Sequence, residues 1–127
     1  MLIRNILEES VRKFDEVKAV KWLNKKEIME RSYGELMENV VSTRKGLLAE
    51  GFEGKHIALI GTSSVEWMES YLGIITGRTT AVPLDAALPC EDLIDLLNRS
   101  DSVALFLSPK LKPYLDAFLE NCPKLQK

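Results

Sequence analysis

Residues 71–85 read YLGIITGRTTAVPLD, and the organisation of the chain follows from this stretch. Tyr71, Leu72 and Ile75 continue an apolar helical face, Gly77 stops it, and Thr79–Leu84 is a short β-type run closed by Pro83 and Asp85. A helix that ends on glycine and passes directly into a strand belongs in a βαβ unit, where the helix covers the strands it connects.

The same pattern repeats on both sides. Upstream, HIALIG at 56–61 is nearly all apolar, as for a parallel strand covered on both faces. Gly61-Thr62-Ser63-Ser64 then turns the chain into a helix bearing Val65, Met68, Tyr71, Leu72 and Ile75. Downstream of Asp85, AALP leads to a helix with Pro89 in its first turn, where a missing amide does no harm. Its apolar face is Leu93, Ile94, Leu96 and Leu97. Val103–Leu107 forms a third strand, and Ser108-Pro109 opens a last helix that uses Leu111, Tyr114, Leu115, Phe118 and Leu119. This alternation predicts an α/β fold, a parallel β-sheet flanked by helices (βαβαβ) with right-handed crossovers and TTAVPL in mid-sheet.

The chain before residue 52 precedes that unit. Ile3, Ile6, Leu7, Val11 and Phe14 share one helical face, which predicts an N-terminal helix over 3–14 packed by that stripe. VKAVKWL and EIMERS, separated by Asn24, Lys25 and Lys26, predict a β-hairpin. Ser32-Tyr33-Gly34-Glu35 has capping-box spacing, with Ser32 accepting the Glu35 amide and Glu35 reaching back to Ser32. The helix it starts is expected to bury Leu36, Met37, Val40, Val41, Leu47 and Leu48 and to stop at Gly51. Gly46 inside it marks either a propensity cost or a close-packing point.

Composition narrows the function. The 127 residues are one domain's worth of chain, with 46% hydrophobic and 28% charged residues and a net charge of −2. No basic run tracks a nucleic-acid backbone, no apolar run spans a bilayer, and the first residues carry no cleavable signal pattern. A cytoplasmic location is the expectation. Cys90 and Cys122 match no metal or redox spacing and read as reduced structural thiols. His56, the single histidine, makes neither a triad nor a zinc site and is placed at the surface where a strand begins.

The strongest candidate for chemistry is the GTSS turn at 61–64, since open α/β sheets bind ligands at the carboxyl ends of their strands. It lacks the glycine spacing of a dinucleotide site and the Gly-Lys-Ser/Thr of a phosphate loop. Ser63 or Ser64 as a helix cap is the preferred reading and an anion site the alternative. Asp85 has no acid–base partner and reads as an Asx-type loop former. Glu91, Asp92 and Asp95 fit a solvated helix face, Trp22 and Trp67 read as core, and Lys110 with Lys112 is too small a cluster to define a site. No catalytic, cofactor-binding or metal-binding residue is assigned.

Several segments together resemble the N-terminal region of AMP-forming acyl-CoA synthetases, the adenylate-forming ligase superfamily. RSYGEL at 31–36 looks like the family's T-Y-x-E-L element. GFEGKHIALIGTSSVEW at 51–67 looks like its G-x-x-G-D-R-V-A-L…N-S-x-E-W passage. YLGIITGRTTAVPLD at 71–85 looks like L-K-A-G-x-x-x-V-P-L-D, and LPCEDLIDLLNRSDSVALF at 88–106 looks like the helix and strand that follow. FDEVKAVKWLNKKEI at 14–28 is similar to the long-chain fatty-acid–CoA ligase branch. Departures fall at Thr76, Gly34 and Lys55-His56, and are expected to be surface or packing changes.

The resemblance implies a parent enzyme that joins a fatty acid to CoA through an acyl-adenylate, using ATP, magnesium and CoA and releasing AMP and pyrophosphate. The family's glycine-, serine- and threonine-rich phosphate loop, ribose-binding aspartate and lid lysine lie beyond the matched region. Residues 1–127 are therefore expected to be an N-terminal subdomain, a fragment of a larger fold with a scaffold role. It would be inactive alone, would carry no cofactor itself, would partner with the remainder of its own chain, and would be prone to self-association. The alternative is a free-standing small α/β binding or interaction protein. A receiver-like phospho-acceptor domain is disfavoured, since no acidic pair follows Ile57–Ile60.

Overall fold

The computed structural model describes residues 2–127. In chain order the elements are α1 (Ile3–Phe14), β1 (Lys18–Asn24), β2 (Glu27–Ser32), α2 (Tyr33–Ala49), β3 (His56–Ile60), α3 (Val65–Thr76), β4 (Thr80–Leu84), α4 (Cys90–Arg99), β5 (Ser102–Leu107), a 3-10 helix (Pro109–Tyr114) and α5 (Leu115–Asn121). β1 and β2 form an antiparallel hairpin, and β3, β4 and β5 form a parallel sheet in the order β4-β3-β5.

The central strand is β3, not the TTAVPL strand expected in mid-sheet. β4 occupies an edge. Pro83 supplies a physical reason, because it cannot donate to a ladder and proline is confined to edge positions in sheets. Residues 57–60 of β3 are buried without exception, as its apolar run predicts.

The alternation of β3 divides the core. Ile57 joins Leu47 of α2, Phe52 and Ile74 of α3 on one face. Ala58 and Ile60 join Leu93 and Leu97 of α4 and Phe118 and Cys122 of the C-terminal segment on the other. Successive strand residues point to opposite faces, so helices are required on both. α2 and α3 cross closely at Gly73, where a Cβ would meet Thr43 Cβ at 2.5 Å. The open space at Gly46 settles its role: nothing packs there, and it is a propensity cost.

Several expected faces are only partly buried. Leu48 and Leu119 are exposed although their neighbours Leu47 and Phe118 are buried. Adjacent helical residues point about 100° apart, and the sheet takes one stripe from each helix. Ile3, Ile6 and Phe14 of α1 are also exposed; α1 is held through the half-buried Leu7 and Val11 and a Phe14–Tyr33 ring contact at 6.4 Å. The last helix is split, because Pro113 has no amide to donate and the segment before Leu115 tightens into the 3-10 helix.

Local signals in α2 hold in part. Ser32 Oγ accepts the Glu35 amide at 3.1 Å, the forward half of the capping box, while the exposed Glu35 side chain makes no return bond. Glu50 is the last cap residue, and Gly51, at φ 79°, makes the left-handed exit. Gly34 lies where the chain after α1 presses on the start of α2: its amide donates to Asp15 O at 2.9 Å, and a Cβ would collide with the Asp15 side chain. Thr76, expected as a surface or packing change, is buried with its hydroxyl donating to Leu72 O at 2.5 Å.

Candidate functional site

The three parallel strands end level. Register pairs Ile60 with Leu84 on one side and with Leu107 on the other, so the turns after β3, β4 and β5 open onto one end of the sheet. β3 leads into α3 on one face, whereas β5 leads towards α5 on the other. The crevice between β3 and β5 is thus a topological switch point, where open α/β sheets place their ligands.

Two cavities lie at this end of the sheet, one at the β3–β5 crevice and one between the exits of β3 and β4. One, of about 530 Å³, is lined by Ile60, Thr62, Ser64, Trp67, Phe106, Ser108 and Lys110 among others. The second, of about 520 Å³, is lined by Gly61, Thr62, Ser63, Trp67, Leu84 and Asp85. Thr62 and Trp67 border both, and Trp67 is held flat against Tyr71 with ring centroids 5.2 Å apart. Trp67 is half-buried, not the core residue expected, because it stands at the cleft in the first turn of α3.

The turns are tied to each other. The Ser108 amide donates to Ile60 O at 2.9 Å, and Ser108 Oγ accepts the Thr62 amide at 3.2 Å. Gly61 must lack a side chain, since a Cβ there would collide with Ser108 Oγ. Ser64 is the cap of α3, accepting the Trp67 amide at 3.0 Å. Asp85 accepts the Ala87 amide at 2.9 Å, the Asx arrangement expected from sequence. The structure therefore brings together Ser63, Ser64, Asp85, Trp67 and Lys110, with the first three at exposed positions.

The other candidates fall elsewhere. His56 starts β3 at the opposite end of the sheet, with Nδ1 2.7 Å from Ser100 O; a five-residue strand separates it from the cleft by about 15 Å. Trp22 lies on the hairpin, half-buried, under the Arg31 guanidinium at 5.3 Å from the ring centroid. Cys90 and Cys122 are free thiols in and against the α4–α5 side of the core. Burial, then the neighbouring Cys90, pushes the Cys122 thiol pKa up. Glu91 and Asp92 occupy the first turn of α4, and Asp95 pairs with Arg99 at 3.0 Å. Lys112 lies in the 3-10 helix, exposed.

Sequence reasoning missed Ser108 as the tie between β3 and β5; its position one residue past a strand end was the available signal. It also missed the ion pair between Arg31 on β2 and the buried Glu69 on α3, which anchors the hairpin to the sheet domain. Among the described residues no group of three or more His, Cys, Asp and Glu is arranged to hold a metal ion. No helix of the described residues is long and apolar enough to cross a membrane.

A flush parallel sheet with a hydroxyl-lined cleft at its switch point is an architecture that binds ligands at the carboxyl ends of its strands. The chain belongs to the AMP-binding enzyme family, whose model matches residues 7–127. A CoA ligase from Gibberella moniliformis (strain M3125 / FGSC 7600) is 30% identical over 84 residues, a match covering 61% of this chain and 14% of that protein. Among solved structures, the anthranilate CoA ligase AuaEII in complex with anthranoyl-AMP superposes with a TM-score of 0.87 at 19% identity, over 99% of this chain and 24% of that one. The N-terminal domain of FACL13 from Mycobacterium tuberculosis gives 0.87 at 19% identity, over 98% of this chain and 32% of that one. A mutant form of coronafacic acid ligase from Pectobacterium brasiliense gives 0.91 at 20% identity, over 100% and 25%. The chain thus corresponds to one part of a larger ligase fold and spans between about a seventh and a third of these relatives.

Proposed function

We propose that the chain is the N-terminal subdomain of an ATP-dependent, AMP-forming acyl-CoA ligase acting on a long-chain fatty acid in the cytoplasm. In the complete reaction the acid's carboxylate oxygen attacks the α-phosphorus of ATP, pyrophosphate leaves, and the CoA thiol then displaces AMP from the acyl carbon. The observation that carries this reading is the level carboxyl end of the sheet in a member of the AMP-binding family, where Thr62, Ser63 and Ser108 offer hydroxyls, Lys110 a cation and Trp67 an apolar face.

These groups suit one wall of a substrate cleft. The ammonium of Lys110 can neutralise an anionic group, and the Trp67–Tyr71 stack gives a flat apolar surface to an acyl chain or a base. They do not supply a reaction centre: Ser64 and Asp85 are spent on local hydrogen bonds, and His56 is at the far end of the sheet. This supports the proposed scaffold role, in which ATP, magnesium and CoA are engaged chiefly by the rest of the parent enzyme and residues 1–127 alone do not turn over. Exposed Leu23 and Ile28 on the hairpin and Ile3 and Ile6 on α1 support self-association of the isolated chain.

Fatty-acid-dependent exchange of pyrophosphate into ATP tests the reading. The isolated chain is expected to show none, and the polypeptide encoded by the full gene is expected to show exchange that increases with acyl length. Exchange by residues 1–127 alone overturns the scaffold role, and a gene product without fatty-acid-dependent exchange overturns the ligase assignment. A free-standing binding protein would instead show saturable thermal stabilisation of the chain by nucleotide, CoA or acyl chains.

A further inference from the structure

A separate cavity of about 450 Å³ lies away from the cleft, beside the amino end of β4. Three arginines from three places in the chain line it: Arg4 on α1, Arg44 on α2, and Arg78 in the turn between α3 and β4. Leu47 and Leu48 give it an apolar side.

The charges around it do not balance. Arg4 Nε bonds Glu8 at 2.9 Å, and Arg78 Nη1 bonds Glu53 at 2.8 Å. Arg44 is the cation left over. Its Nη2 donates to the neutral Thr76 hydroxyl at 3.0 Å, and its Nη1 stands 4.0 Å from Glu8, already engaged by Arg4. Its Nε is buried without a hydrogen-bond partner, and the side chain as a whole is 17% exposed. Burial first, then the Arg4 charge, lower the Arg44 pKa below the ordinary guanidinium value, against a smaller opposing pull from Glu8.

A guanidinium held against solvent needs acceptors, because each unmade hydrogen bond there costs the desolvation of the donor. The arrangement is built into the turn: a Cβ at Gly77 would approach Arg44 Cγ at 3.0 Å, so glycine admits the arginine stem. Glu8 and Glu53, the latter also lining the cavity, answer two of the three arginines, and what the site lacks is a third anion. We propose that this cavity binds a small phosphate monoester, its dianion held by Arg44 and Arg4 and its organic part lying over Leu47 and Leu48. Phosphate is favoured over a carboxylate because its three oxygens can accept from both guanidinia, and planar guanidinium forks match phosphate geometry. The proposal goes beyond the ligase reading and stands without it, since none of these residues borders the carboxyl-end cleft.

Calorimetric titration of the protein at fixed ionic strength tests it, with inorganic phosphate and phenyl phosphate as probes and acetate as the monoanionic control. Both phosphates are expected to bind saturably, phenyl phosphate more tightly, and acetate not to saturate. Arg44→Gln is expected to weaken phosphate binding by about tenfold, the loss of one charge-assisted contact. Arg4→Gln, on an exposed helix whose truncation cannot unfold the core, is expected to weaken it by several-fold. Lys26→Gln, which removes one positive charge from the exposed hairpin turn, is expected to change nothing. Absence of saturable phosphate binding, equal binding of acetate, or unchanged affinity in Arg4→Gln overturns the proposal. Circular dichroism establishes that Arg44→Gln is folded; should it unfold, Arg4→Gln decides.

Discussion

Arg31 on β2 and Glu69 on α3 form an ion pair across 38 positions of sequence, with the Glu69 side chain 6% exposed and its Oε2 without a partner. The same guanidinium lies over Trp22, so a single side chain fastens the hairpin to the sheet domain by charge and by ring contact. Removing Arg31 strands a buried carboxylate. Arg31→Ala is expected to cost about 3 kcal/mol in urea unfolding, whereas the double substitution Arg31→Met with Glu69→Leu recovers most of that loss, because an apolar pair carries no desolvation cost. Equal losses in the single and double variants would show that the pair is not what holds the hairpin.

Two glycines in neighbouring helices should respond with opposite signs. Gly46→Ala places a methyl in open space in a helix interior and is expected to stabilise by about 0.5–1 kcal/mol. Gly73→Ala pushes a Cβ into Thr43 and towards Val40 O, at 3.2 Å, and is expected to destabilise by about 1–3 kcal/mol. Thermal unfolding of the two variants side by side checks the pair.

At the cleft, Ser108→Ala removes the acceptor for the Thr62 amide and is expected to cost about 1 kcal/mol while opening the space that Gly61 now leaves to the hydroxyl. Gly61→Ala in the parent sequence should destabilise, and the same change combined with Ser108→Gly should be tolerated. A double-mutant cycle from chemical denaturation reads the coupling directly.

The thiols offer a pH test. Cys122 is buried and its pKa is raised, so at neutral pH a disulfide reagent is expected to titrate Cys90 in the native protein and both thiols only after denaturation. A raised folded-state pKa means that the folded chain holds this proton more tightly than the unfolded one. The contribution of Cys122 is therefore complete at neutral pH, below the ordinary thiol value of 9.0, and is lost as pH rises through that value towards the raised one. Cys122→Ser is expected to flatten that alkaline decline.

Much of this architecture is legible in short stretches. The apolar run at 57–60 announces a strand covered on both faces, Ser64 and Gly51 mark helix ends, and the four family-like segments fall in order on β2–α2, β3–α3, α3–β4 and α4–β5. Chain order suggests the centre of the sheet for β4, whereas Pro83 and the chemistry of the ladder require the edge. Residue type points Trp67 to the core, while its place in the first turn of α3, just after the exit of β3, puts it at the cleft. Leu48 and Leu119 fit the apolar period yet stay exposed, because periodicity does not state how wide a stripe the sheet will accept. Arg31–Glu69 and the Arg4–Arg44–Arg78 cavity join residues far apart in sequence, and no local pattern predicts such meetings.

The level ending of β3, β4 and β5 separates shape from chemistry. The floor of the cleft is made by the strand ends, Ile60 and Phe106 among them, and its rim by three exit turns, so changes at the exposed positions 62, 63 and 110 can alter what is recognised while leaving the buried contacts intact. One residue inserted into any strand would instead raise a third of that floor by about 3.3 Å and turn its buried residues outward. Novelty in ligand preference can accumulate in the turns, and the strands between them tolerate almost none.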